Sequence, residues 1–120
     1  RKNELEMRLI NFSGSIVNLC RQVPWNVINK PVISQIVRSS TSIGANYSEA
    51  NQSGSYKDFR NKIYISIKEL NETKYWIHIL AKSNPDKKEQ LRIIYNECQQ
   101  LVKIFDSIIF KINQKSKRKK

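Results

Sequence analysis

The sequence predicts an all-α protein, an antiparallel up-down-up-down four-helix bundle. Three observations predict it. Apolar residues recur at alternating steps of three and four along four separate segments. Only three glycines and three prolines occur in 120 residues, too few for the many turns of a β-rich chain. No segment sustains the period-two alternation of a half-buried strand.

The first helix carries Leu5, Leu9, Phe12, Ile16, Leu19 and Val23 on one face. Pro24 ends it, and Trp25 opens an irregular connector. Gly14 falls inside this helix, off the stripe, where glycine costs about 1 kcal/mol of helix propensity against alanine. The second helix starts near Pro31, since proline suits a first turn. Its stripe is Ile33, Ile36, Val37, Ser40, Ile43, Gly44, Tyr47 and Ala50, and Ser53-Gly54 breaks it.

Ser55 with Asp58 three residues on resembles a capping box and opens the third helix. Tyr56, Phe59, Ile63, Ile67, Leu70, Ile77 and Leu80 form its stripe. Ser83-Asn84-Pro85-Asp86 then supplies a stop and a restart, with Asn84 expected as cap, Pro85 in the first turn and Asp86 facing the helix dipole. Leu91, Ile94, Cys98, Leu101, Phe105, Ile108 and Ile112 form the stripe of the fourth helix. None of the four can bury its stripe alone, and a bundle is the economical solution. The expected organisation is one bundle domain over residues 1–114 and a basic C-terminal tail over 115–120.

Composition narrows the function. The net charge is +12, and Lys115, Lys117, Arg118, Lys119 and Lys120 contribute five of those charges. The rest of the chain is basic too, which points to phosphate-rich or other acidic partners. No apolar run approaches the roughly 20 residues of a membrane span, and the N-terminus lacks a signal-like apolar region. The expectation is a cytoplasmic protein with no membrane partner.

Catalytic and metal chemistry find little to stand on. His78 is the single histidine, remote in sequence from Cys20 and Cys98, so no zinc-like spacing exists. Both cysteines lie on apolar stripes and are expected as buried thiols. No phosphate-binding glycine loop is present. Glu69 and Glu72, three apart, are expected to pair at the surface with Lys68 and Lys74. The chain is therefore expected to be no enzyme, with no cofactor, no metal and no catalytic residue.

Two further features invite a partner. The third helix carries Tyr64, Ile65, Tyr75, Trp76 and Ile79 in addition to its core stripe, more apolar surface than one bundle needs. These five residues are the expected oligomer interface. On the second helix Arg38, Ser42, Asn46 and Glu49 share one side. They read either as a solvated face or as a polar network with another helix or subunit, for which Glu69 and Thr73 are the candidate partners.

The run from Gln35 to Ala50 resembles the signature of the four-helix proteins encoded in intervening sequences of bacterial 23S rRNA genes. The matching positions are Gln35, Arg38, Ser42-Ile43, Ala45-Asn46, Glu49 and the small residue Ala50. Phe59 and Glu69-Leu70 resemble that family's third helix. Gly44 stands where many relatives have proline, and Ala50 where many have glycine.

The resemblance implies a four-helix bundle that assembles as a homopentamer. A related branch, accessory proteins of diversity-generating retroelements, joins a basic pentamer to RNA and a reverse transcriptase. Two function classes follow. One is a basic oligomer binding RNA or another nucleic acid, the lysines and arginine between 115 and 120 among its contacts. The other is an oligomeric interaction scaffold, or an accessory subunit, without direct nucleic-acid binding.

Overall fold

The structure is a computed structural model that describes residues 3–118. Four α-helices account for nearly all of it: α1 (Glu4–Arg21), α2 (Asn29–Asn51), α3 (Tyr56–Ser83) and α4 (Lys88–Arg118). No strand occurs among the described residues.

Local hydrogen bonds set the helix starts. The Asn3 side chain accepts from the Glu6 amide at 2.7 Å, so α1 has a side-chain cap before its first apolar residue. Asn26 Oδ1 accepts from the amides of both Ile28 and Asn29, at 3.1 and 2.8 Å. That Asx turn lets α2 begin at Asn29, two residues before the expected start at Pro31. The Ser55 hydroxyl accepts from the Asp58 amide at 3.1 Å, giving α3 the cap read from the sequence.

Asn84 departs from expectation. It is buried, and its side chain makes no cap hydrogen bond to the following 3-10 turn, Pro85–Lys87. It reaches across the fold to Asn29 instead. Proline does occupy the start of that turn.

The four stripes converge on one core. Leu9, Phe12 and Ile16 of α1 meet Ile36 and Ile43 of α2, Ile63, Leu70 and Leu80 of α3, and Leu91, Leu101 and Phe105 of α4. The Tyr47 and Phe105 rings stand edge to face at 5.7 Å. Each helix packs on its sequence neighbours, and α1 closes the ring on α4 through the sparsest of the four seams. Cross-helix bonds run in opposing chain order: Ser39 with Thr73, Ser66 with the Ile43 carbonyl and Lys62 with Glu49. An up-down-up-down path requires that order.

Polar groups inside this core are satisfied. Ser13 donates to the Ser40 carbonyl at 2.8 Å, and Thr73 donates to the Glu69 carbonyl at 2.8 Å. No buried side-chain nitrogen or oxygen among the described residues lacks a partner. Such closure fixes the seam between helices, because an unpaired buried polar group costs about 1–3 kcal/mol.

The long axis of the body, 53 Å against 23 and 22 Å across, follows α4. Its 31 residues span roughly 46 Å at about 1.5 Å per residue. Asn3 donates to Tyr47 and Tyr47 meets Phe105, so α4 continues to Arg118 past the level where α1 begins. Lys115 and Lys117 are therefore borne on the last turns of α4. Lys119, Lys120 and the side chain of Arg118 lie outside the described residues.

Candidate functional site

The polar side of α2 divides into three local arrangements. Arg38 bridges to α3: its Nη1 lies 3.3–3.4 Å from both oxygens of Glu69, and its Nη2 donates to Glu72. Its Nε also donates to Gln35 at 3.3 Å. Glu69 is only 9% exposed, whereas Arg38 remains half in solvent. Ser42 and Asn46 do not reach α3. Ser42 donates to the Arg38 carbonyl and Asn46 Nδ2 to the Ser42 carbonyl, both at 2.8 Å along their own helix. Glu49, lower on α2, accepts from Lys62 of α3 at 2.7 Å in an exposed pair.

These contacts correct the expected pairing of Glu69 and Glu72. Their ion-pair partner is Arg38 of α2, not Lys68 or Lys74 of their own helix. Lys74 donates to Gln99 of α4 instead. Thr73, expected beside the stripe, hydrogen-bonds Ser39 at 2.8 Å, a residue on the buried side of α2.

Glu72 also accepts from the Trp76 indole at 3.1 Å. That bond first, then the Arg38 guanidinium, holds the Glu72 carboxyl below its usual range. The two carboxylates in turn raise the Arg38 guanidinium further above an already high value, Glu72 foremost. A clamp of this kind joins α2 to α3.

The extra apolar residues of α3 fall into two groups. Trp76 and Ile79 are half-buried and pack against the subunit's own core. Tyr64, Ile65 and Tyr75 stand out at 47%, 39% and 58% exposure. The Tyr75 and Trp76 rings meet edge to face at 5.2 Å, so Tyr75 extends the apolar surface outward from the Trp76 anchor. Sequence periodicity did not single out Trp25, Val27 and Ile28, which project from the α1–α2 connector into solvent. Lys30 Nζ sits 5.5 Å from the centre of the Trp25 ring.

The basic residues are spread unevenly. Arg8, Arg38, Lys62 and Arg92 hold carboxylates. Lys57, Lys68, Lys88, Lys103, Lys111 and Lys115 are exposed on α3 and α4 and make no salt bridge among the described residues, though the charges of Lys68 and Lys88 act on Glu72 and Glu89. By contrast residues 9–20 of α1 and 39–48 of α2 contain no charged side chain. The α3–α4 side of the bundle is thus the cationic one.

Burial pushes the Cys20 thiol up to about 11 and the Cys98 thiol to about 12. Both stay protonated at neutral pH, the state of an inert structural cysteine. His78 packs its ring against Tyr95, centroids 4.9 Å apart. No group of three or more His, Cys, Asp or Glu side chains among the described residues could hold a metal. None of their helices is long and apolar enough to cross a membrane.

Known proteins bear out the resemblance carried by α2 and α3. The family model for the 23S rRNA-intervening sequence protein matches residues 1–107. A crystal structure of a protein with unknown function from the S23 ribosomal protein family of Bacteroides thetaiotaomicron VPI-5482 superposes with a TM-score of 0.75 at 38% identity. The match covers 87% of this chain and 96% of that one. No curated protein matches the chain. The bundle, the signature-like run from Gln35 to Ala50 and the family match agree: the chain belongs to the 23S rRNA-intervening sequence protein family.

Proposed function

We propose that this protein is a non-enzymatic homo-oligomer, a pentamer, that binds RNA through its basic surfaces. The observation that carries the reading is the cationic side of the bundle. Lysines of α3 and α4 stand exposed there without salt bridges, and the basic residues of the two helices outnumber their acidic ones. Lysine–phosphate contacts of this type position a nucleic acid and carry little base information.

Assembly would multiply the effect, since each added subunit brings another +12 to one particle. Exposed Tyr64, Ile65 and Tyr75 support self-association, and the resemblance implies five subunits. The half-buried Trp76 and Ile79 would support that surface from behind. A reverse transcriptase or another protein partner would be a further binding activity of the same particle, as the related retroelement branch suggests.

Fluorescence anisotropy against single-stranded and duplex RNA at two salt concentrations tests the reading. Affinity should fall steeply as salt rises, because each neutralised phosphate releases counterions. Truncation after Asn113 removes Lys115, Lys117, Arg118, Lys119 and Lys120 and should weaken both the affinity and the salt slope. Absence of binding to either RNA at low salt, with an acidic protein copurifying, would favour the scaffold reading instead.

A further inference from the structure

We infer that the cleft between the end of α3 and the start of α4 receives one nucleotide unit, its base in the cleft and its phosphate on the cationic rim. The inference deepens the RNA-binding reading and rests on it for its biological ligand.

The cleft has a volume of about 210 Å³. Drug-sized pockets run from about 300 to 1,000 Å³, so this one suits a single ring system. Ile77, Ala81 and Leu91 supply its apolar lining. His78 and Tyr95 add two aromatic rings, tilted 58° to each other with centroids 4.9 Å apart. At that tilt the two rings do not cover each other face to face.

Lys88 and Arg92, one turn apart on α4, line the same cleft. Lys88 makes no salt bridge, though its charge acts on the adjacent Glu89, while Arg92 shares its guanidinium with Glu89 at 2.9 Å in an exposed pair. Such a pair is weak enough in water to yield to a phosphate. One turn along α3 from His78, Lys74 donates to Gln99, placing another cation in line with the groove. Apolar lining and aromatic rings thus share one cleft with cations at its rim, the groups that a base and its phosphate require.

The cleft distinguishes strand types. A duplex keeps its bases stacked and offers only phosphates, whereas a single strand can turn a base into an aromatic site. Stacking adds affinity without demanding one base, so the selectivity would be for single strands rather than for a sequence.

His78 is the only histidine in the chain, so its ring protons are a unique proton NMR reporter. Adenosine 5′-monophosphate should shift them upfield and saturate, adenosine should do so more weakly, and ribose 5-phosphate should produce no upfield shift. In parallel, Ala81→Phe to fill the cleft and His78→Ala to remove a ring should each lower single-stranded RNA affinity about 5- to 10-fold. Duplex affinity should hold, as should the unfolding midpoint of at least one variant. No saturable shift with the mononucleotide, with single-strand affinity unchanged in both variants, would overturn the cleft and leave electrostatic RNA binding standing. A saturable mononucleotide shift in a protein that binds neither RNA would uphold the cleft and overturn the RNA reading.

Discussion

Asn29 and Asn84 exchange hydrogen bonds in both directions inside the fold. Asn84 Nδ2 donates to Asn29 Oδ1 at 2.9 Å, and Asn29 Nδ2 donates to Asn84 Oδ1 at 3.2 Å. The two residues are 55 positions apart, one in the first turn of α2 and the other just after α3. Asn29 also donates to the Pro24 carbonyl at 2.9 Å, so the pair ties the α1–α2 connector to the α3–α4 turn. Both side chains are buried, which makes the reciprocal geometry a requirement.

Replacing either partner alone should therefore destabilise the fold. Asn29→Ala or Asn84→Ala leaves a buried amide without its partner and should cost about 1–3 kcal/mol. The double variant should cost less than the sum of the two, because neither orphaned amide remains. Urea unfolding of the four proteins in one cycle measures the coupling. Additive losses would show that the two amides act independently.

Arg38→Ala should lower the unfolding free energy by about 1 kcal/mol, since Glu69 is left nearly buried without its cation. Glu72 adds a pH dependence. Its folded carboxyl titrates below the ordinary value of 4.5, through the Trp76 indole and then Arg38. The stabilisation is present above pH 4.5 and is lost as pH falls through the lower folded value. Acid titration of the unfolding midpoint should show a shallower loss in Glu72→Gln than in the parent.

The two thiols should be silent to a thiol reagent in the folded protein near neutral pH and should both react after denaturation. Their folded values lie above the ordinary 9.0 because burial disfavours the thiolate. Their contribution to stability is intact below pH 9 and declines as pH rises towards the folded values. Colorimetric thiol counting with and without denaturant, followed by melts on the alkaline side, checks both points.

Light scattering of the pure protein should give a mass several times 14.1 kDa. Ile65→Glu together with Tyr75→Glu should lower that mass while leaving helical content intact, because both side chains are exposed in the subunit. Ile79 is a poorer probe, since it packs against the core and its replacement by a charge would disturb the subunit as well. A monomeric parent would remove self-association as the reason for this surface.

Gly14→Ala should stabilise α1 by about 0.5–1 kcal/mol. A methyl group there meets nothing within 4 Å, and the residue lies in mid-helix without positive φ. Gly44→Ala should act in the same direction, its added methyl reaching Leu9 Cβ at an ordinary 3.6 Å. Thermal melts of the two variants measure both effects.

Four helices and their inward faces were legible in the sequence, because a three-and-four repeat defines a helical face wherever it occurs. Leu9, Phe12, Ile16, Ile36, Ile43, Leu70, Leu101 and Phe105 lie in the core as their spacing requires. The motif from Gln35 to Ala50 was legible too, and with it the family. Only the tertiary structure decided which polar groups meet. Spacing places Arg38 and Glu69 on faces of two helices, but their meeting depends on the rotation and offset of α2 against α3. Packing likewise turns Trp76 and Ile79 inward and leaves Tyr75 outside, a distinction their spacing does not make. Asn84 carries the general lesson: its sequence neighbours mark a cap, yet a buried amide seeks the partner that packing supplies, and packing supplied Asn29.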